Sequence, residues 1–404
     1  MTQPFALKIG LDAWHLNVFA EQLIPLNREV IVPTTHSAAE LTRSALENPF
    51  GFEALRRALT PDDRVTVVLD SELPDVAVML GEVLKHLGSA GIPPEAVTIL
   101  TPPGSRQSWV DELSDEFAEV QTEVHDPANQ QKLAYLATTQ TGRRLYLSRT
   151  LVDGDFTVVI SGRRYHPLTG YAGAEASIFP ALADEEARTA LAGEFSTQTP
   201  GLKPLPVRAE AEETLWLLGT PFLVQAIEGE GDTIQEVVAG LPNSSAEGIR
   251  RQDANWKAEV SELADTAIAA ISGDPGSVTF LDLAKALANA ARVVRKGGRI
   301  AVLSTGAPEL GEGAHLLRSL DGPTGAKKLL AKEKPADWAA CALWVFAAKN
   351  HSLFLASGYP DEVAEELFTT PIHSASEVQR LIDSGGRVVV IPDAHKMMVG
   401  VHDE

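Results

Sequence analysis

The sequence predicts an α/β protein of two domains, each built on a mainly parallel sheet, with a ligand cleft between them. Three observations carry this expectation. At 404 residues the chain exceeds what one ordinary hydrophobic core serves. Arg64 to Leu69, Asp75 to Leu87 and Val97 to Leu100 read as strand, helix and strand at the spacing of a βαβ unit, which makes those strands parallel neighbours. The same alternation returns with Thr266 to Ile271, Phe280 to Val294 and Arg299 to Leu303. The division is therefore placed at 1–255 and 256–404.

Taken in order, residues 1 to 35 are extended and apolar, with breaks at Pro25 and Pro33. Thr35-His36-Ser37 is a capping sequence for a helix that runs to Ala45-Leu46 and stops at Asn48-Pro49. A short helix, Phe52 to Leu59, precedes the turn Thr60 to Asp63. The strand RVTVVL then empties into Asp70-Ser71-Glu72, and Val97 to Leu100 empties into Thr101 to Arg106. Ser108 to Phe117 is helical, Val120 to Val124 extended, and Leu145 to Leu147 and Phe156 to Ile160 are strands.

Phe156 to Ile160 leads into the most informative stretch, SGRRYHPLTGYAGAEASIFP, which reads as a strand breaking at Ser161-Gly162 into a glycine-rich loop. Ligands of α/β proteins lie outside the carboxyl ends of strands, and glycines let backbone approach them. Beyond it, Asp184 to Ala192 is helical, Ser196 to Pro206 a crossing loop, and Ala209 to Leu218 a helix. Phe222 to Glu228 and Ile234 to Val238 form a hairpin. A long helix is expected over Ala246 to Leu263, and Lys296-Gly297-Gly298 is expected to cap the helix before it. Ser352 to Ala356 and Arg387 to Ile391 are the last strands.

The formal charge of −21 argues against nucleic acid, which needs a basic footprint. No apolar run reaches a membrane span, and the start MTQPFALKIG lacks the layout of a secretory signal. Cys341 is the only cysteine, so there is neither an intrachain disulfide nor a thiolate metal cage. The expectation is a soluble cytoplasmic protein whose partner is a small anionic molecule.

Polar residues cluster at four strand ends: Asp70 to Glu72, Gly104 to Gln107, Ser161 to His166 and Ser272 to Ser277. His166 is the only histidine among them; a surface histidine and a catalytic one are both open readings. Asp282 and Lys285 are neighbours on one helix face, where a lysine is ordinarily solvated. The remaining histidines are scattered, without a zinc-binding spacing, and no GxSxG elbow or complete phosphate loop occurs.

The order of these motifs resembles the catalytic protein of the nickel-pincer lactate racemases. The resemblance runs through Ala45 to Pro49, Asp63 to Asp70, Gly142 to Arg149, Gly170 to Pro180, Ser272 to Pro275, Lys285 to Ala290 and Lys296 to Gly298. It implies a hydride moved from the α-carbon of a 2-hydroxy acid to a nickel pincer, two histidines exchanging the hydroxyl proton, and cations holding the carboxylate. On this chain it implies His166 and Asp70 as catalytic. Arg106, Lys285, Asp282 and Arg164 would bind substrate, and Gly170, Gly173 and Ser177 would lie against the cofactor.

Three departures are chemically coherent. The second catalytic histidine falls on Arg106, the pincer's tether lysine on Ala176, and no histidine stands between Glu186 and Pro206 to ligate nickel. No lysine occurs anywhere from Thr157 to Leu202, so a shifted alignment does not restore the tether. Two functions are thus expected: a racemase or epimerase of a small 2-hydroxy acid with a degenerate pincer site, or a non-catalytic relative that binds a small anion or scaffolds a partner.

Overall fold

The structure, a computed structural model, describes residues 2–29, 32–167, 169–195 and 206–402. Most of the expected crossing loop from Ser196 lies outside the described residues; Pro206 opens a helix that runs to Leu217. The chain begins with an antiparallel hairpin, β1 (Thr2–Ile9) and β2 (Asp12–Phe19). Then come β3 (Val65–Leu69), β4 (Val97–Thr101) and β5 (Gln121–Val124). A second hairpin, β6 (Leu133–Thr138) and β7 (Arg144–Ser148), precedes β8 (Phe156–His166) and β9 (Gly170–Ala172). β10 (Phe222–Glu228) and β11 (Ile234–Gly240) close the first half. Among the described residues the first sheet has the order β11-β10-β8-β3-β4-β5, with β9 on the end of β8. All pairs from β10 to β5 are parallel, and β11 runs antiparallel.

The second half supplies β12 (Lys257–Val260), β13 (Ala264–Ala270), β14 (Val294–Leu303), β15 (Ser352–Ala356), β16 (Thr369–Pro371), β17 (Val388–Ile391) and β18 (Met398–Val401). Among the described residues the second sheet has the order β16-β15-β14-β13-β17, parallel throughout, and β12 pairs with β18. The expected class, α/β with mainly parallel sheets, is what the chain adopts. Its strands read as near-continuous apolar runs because they are covered on both faces: all five residues of β3 are buried.

In each sheet the chain order reverses beside one strand. It runs outward from β3 to β5 and returns to β8 on the other side; it runs outward from β13 to β16 and returns to β17. Such reversals leave a crevice at the carboxyl ends of the flanking strands.

Three features of the sequence reading are corrected. Ser161-Gly162 does not break the strand. Ile160 pairs with Leu69 of β3, but β8 continues to His166, first against Ile227 of β10 and then antiparallel to β9. The small, polar pair looks like a break because its partners are not visible in sequence: Ser161 and Gly162 are buried and pair with Gln225 and Ala226 of β10. The long helix expected to reach Leu263 ends at Trp256 and gives way to β12. Likewise, the helix Phe280–Val293 runs straight into β14, and Gly297, at φ +81°, bends that strand instead of capping the helix.

The division at 255 is crossed by the N-terminal hairpin. Leu7, Ile9, Leu16 and Val18 pack on Ile268, Ala270, Ala301 and Leu303, covering the second sheet. Gly10 donates to the Ile271 carbonyl (2.9 Å) and accepts from the Gly273 amide (3.0 Å), and Ile24 donates to the Val388 carbonyl (2.8 Å). Helix Phe280–Val293 and helix Trp338–Asn350 cover the opposite face. Among the described residues no helix is long and apolar enough to cross a membrane.

Candidate functional site

The carboxyl ends of β3 and β8 face those of β13 and β17 across a cavity of about 620 Å³, within the range of small-molecule sites. Four segments supply its polar walls: Ser71 to Asp75 after β3, Arg163 to His166 at the tip of β8, Ser272 to Lys285 after β13, and His395-Lys396 after β17. Arg106 reaches in from the loop after β4.

Charges in the first wall are paired off. The Arg164 guanidinium donates to Asp70 Oδ2 (2.7 Å) and to Glu228 Oε1 (2.6 Å). The Lys396 ammonium, from the turn after β17, meets the other Glu228 oxygen at 3.1 Å. Burial would raise the Glu228 carboxyl, but Lys396 and Arg164 outweigh it and hold it down to about 2. Asp70 Oδ2 also accepts from the Gly162 amide (3.2 Å), which ties the first loop to the overshooting strand.

Helix Phe280–Val293 sets the opposite wall. Thr279 and Asp282 form a reciprocal capping box, the Asp282 carboxylate accepting from the Thr279 amide (3.1 Å) and hydroxyl (2.7 Å). Its second oxygen holds the Lys285 ammonium at 2.9 Å. Burial raises the Asp282 carboxyl, but Lys285 and the capping bonds overcome that and leave it well below the ordinary range. One turn of helix thus presents Lys285, 12% exposed, to the cleft.

Two histidines meet in this space. Burial, then Lys285 and Arg164, push His166 down to about 4, so its imidazole is neutral at pH 7. Burial pushes His395 down to about 4 as well: Asp282 and Asp393 resist, while Lys396 and Lys285 assist. Across the mouth, Arg106 donates to the Gly276 carbonyl (3.0 Å) and stands 3.8 Å from Glu72, bridging the two halves. Burial raises the Glu72 carboxyl, and Arg106 only partly offsets this.

The structure therefore brings His166, Arg106, Arg164, Lys285 and Asp282 to one cavity, with Asp70 behind Arg164. Gly170, Gly173 and Ser177 do not line that cavity. Gly170 pairs with His166 in the β8–β9 ribbon, and the Ser177 hydroxyl donates to the Gly173 carbonyl (3.2 Å). Gly173 makes room for Arg163, whose guanidinium a Cβ there would strike. Arg163 is 1% exposed; it grips both oxygens of Glu175 at 2.9 Å and donates to Gln225 at 2.6 Å. Of the two adjacent arginines, one is thus a structural clamp and the other a cleft residue.

Reading the sequence missed His395, Lys396 and Glu228. Glu228 ends an apolar strand, and the other two follow the last strand of the second sheet. The usable signal was topological: β17 returns beside β13, so the residues after it share the crevice with Ser272.

Residues 9–192 match the family model described as the lactate racemase N-terminal domain. That match takes in a little under half of the chain. Its fold is that of the lactate racemase apoprotein from Thermoanaerobacterium thermosaccharolyticum, with a TM-score of 0.81 at 19% identity over 98% of this chain and 100% of that one. A protein from Thermotoga maritima is similar more loosely, with a TM-score of 0.64 at 12% identity over 90% and 97% of the two chains. No curated protein matches the chain.

The covalent pincer that the resemblance implies does not fit the residues present. Ala176 sits in the short helix Ala174–Ile178, has no amine and does not line the cleft. The cleft lysines are Lys285 and Lys396, and both are held in ion pairs, to Asp282 and Glu228. Among the described residues no group of three or more His, Cys, Asp or Glu side chains is arranged around a metal position.

Proposed function

We propose that the protein is an isomerase that racemises or epimerises a small 2-hydroxy acid in the cleft between its two sheets. The observation that carries this reading is a neutral imidazole beside a cation: His166 lies in the field of Lys285, within one polar cavity. A neutral imidazole near pH 7 accepts a hydroxyl proton, and an ammonium with a neighbouring guanidinium holds a carboxylate by charge-assisted bonds. Lys285 and Arg106 take the carboxylate, and His166 takes the hydroxyl. Asp282 keeps Lys285 oriented through the capping turn, and the raised Glu72 carboxyl lessens repulsion of an incoming anion. The lactate racemase fold and the N-terminal domain match support the substrate class.

Inverting the α-carbon also requires a hydride acceptor, because no side chain here acidifies an unactivated C–H. Position 176 offers such a group no covalent anchor, which favours the second reading, a non-catalytic binder of the same anions. Enantiopure 2-hydroxy acids incubated with the protein, with and without soluble nickel pincer, separate the two when followed by chiral chromatography and calorimetry. Loss of optical purity in any acid supports the isomerase. Binding without inversion supports the binder, and absence of binding sinks both.

A further inference from the structure

His395 lies in a turn with no regular hydrogen-bond ladder, yet it is firmly placed. Asn289, buried on helix Phe280–Val293, donates to the carbonyls of Ala394 (2.8 Å) and Met397 (2.6 Å), one on each side of it. Asp393 accepts from the Ser272 amide (3.0 Å) and hydroxyl (2.7 Å), which fixes the turn to the loop after β13. Lys396 donates to the Gly229 carbonyl (3.0 Å) across the cleft. Despite this support, the buried Nδ1 of His395 has no hydrogen-bond partner among the described residues. Buried polar atoms are nearly always satisfied, and exceptions gather where a ligand or water completes the set. His395 lines the main cavity and also a void of about 30 Å³ beside it, roomy enough for a water. His166 and Lys285 line both as well.

We propose that His395 is the second proton-transfer residue of the cleft, facing the bound hydroxy acid from the second sheet while His166 faces it from the first. This rests on the isomerase reading above. The two hands of a 2-hydroxy acid, held by the same carboxylate contact, present their hydroxyls toward different walls. A single imidazole serves one hand, whereas one on each wall serves both. The step assigned is proton transfer alone. The substrate O–H bond opens with its electron pair left on oxygen, an N–H bond forms on the neutral imidazole, and the reverse transfer restores both. The charged groups facing His395 are Asp282, Asp393, Lys285 and Lys396, two of each sign. A carboxylate landing on Lys285 tips that balance toward the imidazolium.

The test uses the full chain labelled with ¹⁵N-histidine, and both enantiomers of lactate, glycerate and malate as probes. Long-range imidazole spectra are assigned with His166→Asn and His395→Asn. The expected result is that at least one acid moves both imidazole signals and raises their apparent pKa values. His395→Asn and His395→Gln should then weaken binding of one enantiomer at least tenfold more than the other. If acids move His166 alone, and both variants bind the two hands as the wild type does, the assignment of His395 is overturned and the isomerase reading survives. If no acid moves either signal, the isomerase reading falls and the assignment falls with it. Should a variant fail to fold, the wild-type His395 signal decides alone.

Discussion

The tip of β8 and the turn after β17 each carry a histidine into the same cavity, but they hold it by different means. At β8 the backbone does the holding: His166 pairs with Gly170 in the β8–β9 ribbon, and Arg163 anchors the strand from behind. At the turn, side chains do it: Asn289, Asp393 and Lys396 grip backbone and neighbours from three directions. A ladder gives a position that survives most single substitutions. A set of side-chain clamps gives one that can be lost a residue at a time, while the core beneath stays intact.

Substitutions sharpen this contrast. The largest effect is expected from His166→Asn, which removes the proton acceptor while keeping a polar side chain. Turnover of 2-hydroxy acid should fall by about 10² to 10⁴-fold, read as the rate of loss of optical purity. Undiminished turnover would remove His166 from the chemistry. Next comes Arg163→Met, which strands the Glu175 carboxylate in a buried site and should cost about 3–5 kcal/mol. Urea unfolding monitored by tryptophan fluorescence measures it; a change below about 1 kcal/mol would show that the pair is not the anchor of β8.

Acid should weaken both walls. His166 and His395 sit near 4 in the folded protein against an ordinary 6.5, so between those values the unfolded chain binds more protons. Stability therefore falls as pH drops from about 6.5 to about 4. Glu175 and Glu228, held down to about 2, continue the loss below about 4.5. Melting temperatures at pH 7.5, 6 and 5 check the first part, and the fall should shrink in His166→Asn. The smallest effect is expected from Asn289→Ala. It leaves two buried carbonyls without donors, costs about 2 kcal/mol, and should release the His395 imidazole into faster exchange in nuclear magnetic resonance spectra while leaving His166 unmoved. Equal loosening of both histidines would erase the distinction between ladder and clamp.

Much of the framework was legible because parallel strands advertise themselves. RVTVVL and the helix after it announce a βαβ unit without help from distant contacts, and the capping sequence before Ala38–Glu47 forms as read. What failed was local reading at places where partners come from far away. Ser161 and Gly162 look like a break because nothing nearby shows that Gln225 and Ala226 of β10 pair with them. Lys257 to Val260 continue an apolar helical pattern, and only their pairing with Met398 to Val401 makes them a strand. At the site, His166 was found by the rule that strand ends carry chemistry. His395 obeys the same rule, but it follows a strand whose place beside β13 depends on the order of the whole sheet. Arg163 and Arg164 looked equivalent, since alternation across a strand cannot say which face meets a buried glutamate.

The N-terminal hairpin has a consequence for biosynthesis. Leu7, Ile9, Leu16 and Val18 leave the ribosome well before the surface they cover, which is completed only when β17 has been translated. Through most of elongation that apolar ribbon has no native partner, while the first sheet can already assemble as a unit. Docking of the hairpin is therefore expected as a late step, taken only after the second sheet has closed.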